Sequence, residues 1–235
     1  RLRRLGADAP IPARTEPMTA ARKAKTKKSA ASKKAHLHKR AGIRPRSNTR
    51  AGIRPRARPR LPGDLPLPEL VRRMIRVDHA GEFGAVRIYE GQLRVLGRST
   101  VGPTIRRMAD QECAHLKSFE RLMVERGARP SALLPFWRVA GVALGAGTAL
   151  LGPEAAMACT VAVEEVIDAH YGRQVEDLGA DEPELSRAFA RFRAEECEHR
   201  DTGLAHGAEN APGYRPLTAA IRAGAKLAIW LSERI

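Results

Sequence analysis

Two short stretches carry residue types able to hold a metal ion: Glu112-Cys113-Ala114-His115 and Glu196-Cys197-Glu198-His199. Residues three apart on a helix are separated by about 60° of rotation, so the carboxylate and imidazole of each pair leave one face within reach of one ion. Each pair is preceded by another glutamate in an apolar helical pattern, Glu82 before the first and Glu164 before the second. The midpoints of the two spans, Gly97 and Ala180 beside Gly179 and Asp181, read as turns. Folding each segment back there sets its paired glutamates at one height, roughly 22 Å from the turn at 1.5 Å per residue. Two helical hairpins would each supply one Glu and one Glu-x-x-His, the donor set of a di-iron or di-manganese carboxylate four-helix bundle.

The elements that must position these donors follow from periodicity. A helix over about 69–96 carries the stripe Ile75, Asp78, Glu82, Tyr89, Leu93, Leu96, which puts Glu82 where a core residue belongs. Residues 97–102 end it, and Pro103 suits the first turn of a second helix with the stripe Ile105, Met108, Glu112, His115, Phe119, Leu122. Residues 127–130 close this hairpin. The second hairpin runs from about Glu154 to Leu178, carrying Glu164, Glu165, Asp168, His170 and Tyr171, and turns over 179–183. Its returning stripe Phe189, Phe192, Glu196, His199 selects Glu196 over Glu195 as the inward carboxylate.

Two further helices flank this plan. Residues 132–151 are apolar except for Arg138 and Thr148, long enough to span roughly 30 Å. Three glycines, a proline near the start and the arginine weaken a membrane-spanning assignment and favour a helix lying partly in a membrane interface. A last helix over about 215–233 sets Arg222 and Lys226 beside Leu217, Ile221, Leu227, Ile229, Trp230 and Leu231, a basic amphipathic pattern with a membrane-surface character.

The net charge of +16 suggests nucleic acid until it is divided. Residues 1–60 hold 20 Lys and Arg against Asp8 and Glu16, which leaves 22 basic and 24 acidic residues for 61–235. The excess therefore belongs to a tail with almost no long apolar residues and a repeated Ala-Gly-Ile-Arg-Pro-Arg at 41–46 and 51–56. Such a stretch reads as a disordered basic arm, 1–60, ahead of a folded domain, 61–235. A mitochondrial transit peptide is the alternative reading of the arm, and contact with acidic lipid or non-specific contact with nucleic acid is its expected use. No feature predicts specific nucleic-acid recognition. Cys113, Cys159 and Cys197 show no Cys-x-x-Cys spacing, which argues against a disulfide framework and a zinc ribbon and favours free thiols in a reducing compartment.

A glutamate at an apolar-stripe position is costly unless paired or metal-bound, and here four carboxylates and two histidines share one repeated arrangement. The competing reading is a structural ion-pair network. Oxygen-rich sites with one imidazole per metal suit iron or manganese, whereas zinc prefers fewer carboxylates. Cys113 and Cys197 lie about 100° from the ligand face and read as packing residues. His79 and His206 read as surface or capping histidines. His170 and Tyr171 stand about two turns from Glu164, in reach of a ligand carboxylate or a substrate.

Arg76-Val-Asp-His-Ala-Gly-Glu-Phe-Gly-Ala, Asp110-Gln-Glu-Cys-Ala-His115, Ala156-Met-Ala-Cys-Thr-Val-Ala-Val-Glu-Glu165 and Glu195-Glu-Cys-Glu-His199 resemble the demethoxyubiquinone hydroxylases of ubiquinone biosynthesis. The resemblance covers about residues 66–235, including Leu231-Ser-Glu-Arg. It implies an all-α, ferritin-like four-helix bundle of two hairpins with two additional membrane-facing helices. It implies a di-iron centre on Glu82, Glu112, His115, Glu164, Glu196 and His199, with His170 and Tyr171 as catalytic residues beside it. The implied activity is O2-dependent 3-demethoxyubiquinol 3-hydroxylation, with NADH as a candidate electron source. The implied partners are a prenylated quinone and a membrane surface, with room for other ubiquinone-biosynthesis proteins and a homo-oligomer. The implied location is peripheral, on the cytoplasmic face of a bacterial membrane or the matrix face of the mitochondrial inner membrane. Phe83 stands where tyrosine is expected in many relatives, a change that leaves the ligand pattern intact. A ferritin-type iron-oxidising or storage protein is the alternative that shares the ligands.

Overall fold

The computed structural model describes residues 61–235, and the basic tail and its repeat lie outside the described residues. Within them every regular element is helical: α1 Leu67–Leu96, α2 Gly102–Arg126, α3 Leu134–Leu150, α4 Pro153–Leu178, α5 Pro183–Ala205 and α6 Tyr214–Ser232, with one 3-10 turn at Ala208–Asn210. The boundaries follow the punctuation. Each of the five long-loop entries α1 to α5 has proline in its first turn, where the missing N–H costs nothing. Gly127 closes α2 in the left-handed conformation at φ 62°, which its lack of a Cβ permits.

Helices α1 with α2 and α4 with α5 form the two hairpins, joined through a core with three layers along the bundle. At one end Val71, Met74, Ile75, Phe119, Met123, Tyr171, Leu178, Leu185 and Phe189 pack together. At the other, Tyr89, Leu96, Ile105, Met108, Met157 and Val161 pack with the alanines of α4. The order of these residues along α1, α2, α4 and α5 leaves a polar layer between the two apolar ends, and the proposed ligands lie in that layer.

The expected flanking helices are both present, with α3 three residues shorter than the apolar stretch that predicts it. It packs against α1 at distances only glycine allows: a Cβ on Gly145 would fall onto the carbonyl oxygen of Ile88, and one on Gly141 would sit 2.8 Å from Arg87 Cβ. Helix α6 packs on α4 through Ile221, beside Cys159, Ala162 and Val163, and Arg222 pairs with Glu165 at 2.6 Å. Phe136, Val139 and Leu150 of α3 and Leu227 and Trp230 of α6 are exposed. No helix among the described residues is long and apolar enough to cross a membrane.

Candidate metal centre

Helix α1 delivers Glu82, α2 Glu112 and His115, α4 Glu164, and α5 Glu196 and His199, and none of the six is more than 3% exposed. They converge because each occupies the core position of its stripe, and the hairpin turns bring the stripes to one height. The donor atoms form two overlapping groups, Glu82, Glu112, His115, Glu196 and Glu112, Glu164, Glu196, His199, with all donors of a group within 4.8 Å of one another. Glu112 and Glu196 belong to both. His115 Nδ1 lies 2.9 Å from Glu196 Oε1 and 3.5 Å from Glu82 Oε2, while His199 Nδ1 lies 2.9 Å from Glu112 Oε1 and 3.2 Å from Glu196 Oε2.

These close approaches are not hydrogen bonds in their geometry. Glu82 Oε2, Glu112 Oε1, both oxygens of Glu196 and the Nδ1 atoms of both histidines are buried without a hydrogen-bond partner. Leaving a charged group so costs roughly several kcal/mol, and the unsatisfied atoms face one another rather than scattering through the core. Divalent cations would satisfy them, and the oxygen-rich donors with one imidazole per group fit iron or manganese.

The electrostatics express the same demand. Burial pushes the carboxyls of Glu82, Glu112 and Glu164 up, and the charge of Glu196 adds to this for Glu112 and Glu164, both held well above the usual range. Burial also acts on His115, downwards, but the carboxylates of Glu196 and Glu82 close to its ring overcome it and raise the imidazole to about 11. Glu196 is the opposite member of that pair: burial pushes it up, and His115 and His199 outweigh burial and draw it to about 2. Without a cation, the site holds its negative charge by keeping protons.

The layer around the six is also polar. Tyr171 Oη donates to Glu82 Oε1 at 2.7 Å. His170 lies at one remove, its Nε2 3.0 Å from Asp78 Oδ1, and Gln174 Nε2 donates to the same oxygen at 2.8 Å. Burial, opposed chiefly by His170, raises the carboxyl of Asp78. Of the two residues expected beside the metal, then, Tyr171 touches a ligand and His170 touches the neighbouring acid. Asp78 and Gln174 went unselected by sequence reasoning; their signal was spacing, four residues before Glu82 and four after His170.

Three expectations need correction or completion. Glu195 does point away from the stripe, with its side chain 41% exposed, yet its Oε2 lies 2.5 Å from His115 Nε2, because the imidazole reaches across from α2 to the flank of α5. His79 is buried, not a surface histidine, and burial lowers its pKa. His206 does cap, ending α5 with Nδ1 2.8 Å from the carbonyl of Thr202. Cys113, Cys159 and Cys197 are free thiols, as their spacing predicts.

Comparison with known proteins agrees with the geometry. Residues 69–232 match the family described as Ubiquinone biosynthesis protein COQ7. The chain is 58% identical over 181 residues, 76% of its length and 85% of the relative's, to the 3-demethoxyubiquinol 3-hydroxylase of Rhodospirillum rubrum. It is 57% identical over 169 residues, 70% of its length and 78% of the relative's, to the human mitochondrial NADPH-dependent 3-demethoxyubiquinone 3-hydroxylase. It is 42% identical over 180 residues, 69% of its length and 77% of the relative's, to the mitochondrial 5-demethoxyubiquinone hydroxylase of Saccharomyces cerevisiae.

Proposed function

This chain belongs to the ubiquinone biosynthesis protein COQ7 family, and we propose that it is a 3-demethoxyubiquinol 3-hydroxylase. Glu82, Glu112, His115, Glu164, Glu196 and His199 would hold its iron pair in a ferritin-like bundle. The observation that carries this reading is the convergence of six buried donors into two groups that share two carboxylates. Iron bound there would activate O2 for the hydroxylation, with the electrons drawn from an external reductant.

The chain's own residues do the remainder. Glu112 and Glu196 tie the two positions together, and the apolar layers above and below exclude water from the reacting space. Tyr171, bonded to Glu82, holds that carboxylate and carries a proton beside it, since burial and the charges of Glu82 and Asp78 keep the phenol protonated. His170 lines a cavity of about 90 Å³ with Leu70, Met74, Val77 and Arg73, and relays protons between it and Asp78.

The substrate is a prenylated demethoxyquinol, and the exposed apolar residues of α3 and α6 rest on the membrane surface that holds it. Reduced nicotinamide is the electron source; the human relative is named NADPH-dependent, where NADH was the expectation from sequence. Residues 61–235 form the hydroxylase unit and 1–60 a basic arm. The site of action is a membrane face, mitochondrial as in the human and yeast relatives or bacterial as in Rhodospirillum.

Quinone profiling tests this. In cells lacking their own hydroxylase, a precursor lighter by one methoxy group should accumulate, and the chain should convert it to ubiquinone. A chain that takes up iron and O2 but leaves the precursor unchanged would return the ferritin-type reading.

A further inference from the structure

The two halves of the metal centre are not equivalent, and the difference lies outside the six ligands. His115 presents its two ring nitrogens to different partners. Nδ1 faces Glu82, Glu112 and Glu196 without a hydrogen bond, while Nε2 is 2.5 Å from Glu195 Oε2. An acceptor on Nε2 keeps a proton there, so the proton a cation displaces is the one on Nδ1, whose lone pair then faces the metal. His199 has the same Nδ1 arrangement, but its Nε2 is buried with no partner. The chain itself explains the contrast: the residue before the ligand glutamate is Glu195 on α5 and Gln111 on α2.

We propose that Glu195 is a positioning residue that fixes the tautomer and orientation of His115, so that the Glu82–Glu112–His115–Glu196 half binds a divalent metal more tightly than the Glu112–Glu164–Glu196–His199 half. This rests on the dimetal reading of the site. A carboxylate behind a ligating imidazole typically changes metal affinity by about 10–100-fold. Because Glu195 is substantially exposed, its replacement leaves the core packing in place.

The test is Mn(II) titration of the metal-depleted full chain, with free Mn(II) read by its spin-resonance signal and helix content by circular dichroism. The wild type should show two classes of site separated by at least about tenfold. Glu195→Gln should weaken the tighter class by about 10–100-fold and leave the weaker one where it was. Gln111→Glu should tighten the weaker class. Two equal sites in the wild type would overturn the proposal and leave the dimetal reading standing; a wild type that binds no Mn(II) would overturn both. An E195Q protein that keeps its tight class, or that weakens both classes alike, would also overturn it.

Discussion

Tyr89 and Tyr171 stand at matching places in the two halves of the chain, each seven residues after its ligand glutamate, but only Tyr171 hydrogen-bonds a ligand. Tyr171 Oη donates across the bundle to Glu82, whereas the hydrogen-bond partner of Tyr89 Oη is Met108 Sδ at 3.9 Å. The correspondence extends to Gln92 and Gln174, each ten residues after its glutamate, and again only one of them, Gln174, joins the acid network. The duplicated scaffold therefore has one functional end and one that serves packing.

Replacing these tyrosines separates the two ends. Tyr171→Phe removes a hydrogen bond to a carboxylate, a loss of roughly 1.5–3 kcal/mol in such contacts. Quinol hydroxylation should fall at least about tenfold while iron content per chain stays at the wild-type level. Tyr89→Phe keeps the ring in its apolar layer and should cost less than about threefold. Equal losses in the two variants would contradict the assigned polarity.

The contact of α3 with α1 makes a second prediction. A methyl on Gly145 meets the backbone of Ile88, which no side-chain rotation relieves, so Gly145→Ala should destabilise by about 1–3 kcal/mol. Gly147, two residues on, is exposed with nothing within 4 Å of a Cβ, and Gly147→Ala should stabilise by about 0.5–1 kcal/mol through helix propensity. Urea midpoints measured at unchanged slope decide between them.

How much of this was legible beforehand depends on whether a feature lies on one helix or between two. Glu82, Glu112, His115, Glu164, Glu196 and His199 could be read because each breaks an apolar stripe, and the repeat makes the breaks mutually consistent. The helix limits could be read from proline and glycine. The Glu195 contact could not, since the stripe gives only the direction of a Cβ, and the bond forms because His115 extends from another helix. The burial of His79 was hidden for the same reason: it follows from which neighbours cover that side of α1. The seating of α3 on α1 needed the glycines of both helices to be seen facing one another.

The proton content of the site gives a pH dependence. Glu82, Glu112 and Glu164 have folded pKa values above the ordinary 4.5, so the metal-free folded chain binds protons that the unfolded chain releases. Stability from these groups is present below pH 4.5 and lost as pH rises through their folded values. His115 acts in the same sense, its contribution complete below 6.5 and lost on the way to about 11. Glu196 acts oppositely, but only as pH falls from 4.5 to about 2. Between pH 6 and 8 the metal-free chain should therefore lose thermal stability, while Mn(II), which displaces those protons, should raise Tm more at pH 8 than at pH 6. Thermal melts with and without Mn(II) across that range measure both; a metal-induced rise that shrinks with pH would oppose the sign.

The overlap of the two donor groups predicts unequal roles for four glutamates of the same size and burial. Glu112 and Glu196 belong to both groups, whereas Glu82 belongs only to the first and Glu164 only to the second. Glutamine substitutions keep the volume of each side chain and remove its charge, so cavity effects do not confound the comparison. Losing a private ligand leaves the opposite group whole: Glu82→Gln and Glu164→Gln should each retain about one bound metal per chain of the two expected, the weaker site in Glu82→Gln and the tighter one in Glu164→Gln. Losing a shared ligand withdraws charge from both groups together, so Glu112→Gln and Glu196→Gln should retain well under one. Equilibrium dialysis against Mn(II), with metal counted by mass spectrometry and folding followed by circular dichroism, makes the comparison without relying on turnover. Four folded variants with the same stoichiometry would show that the carboxylates are not divided between private and shared positions, and that the metals do not occupy the two groups of donors that the helices bring together.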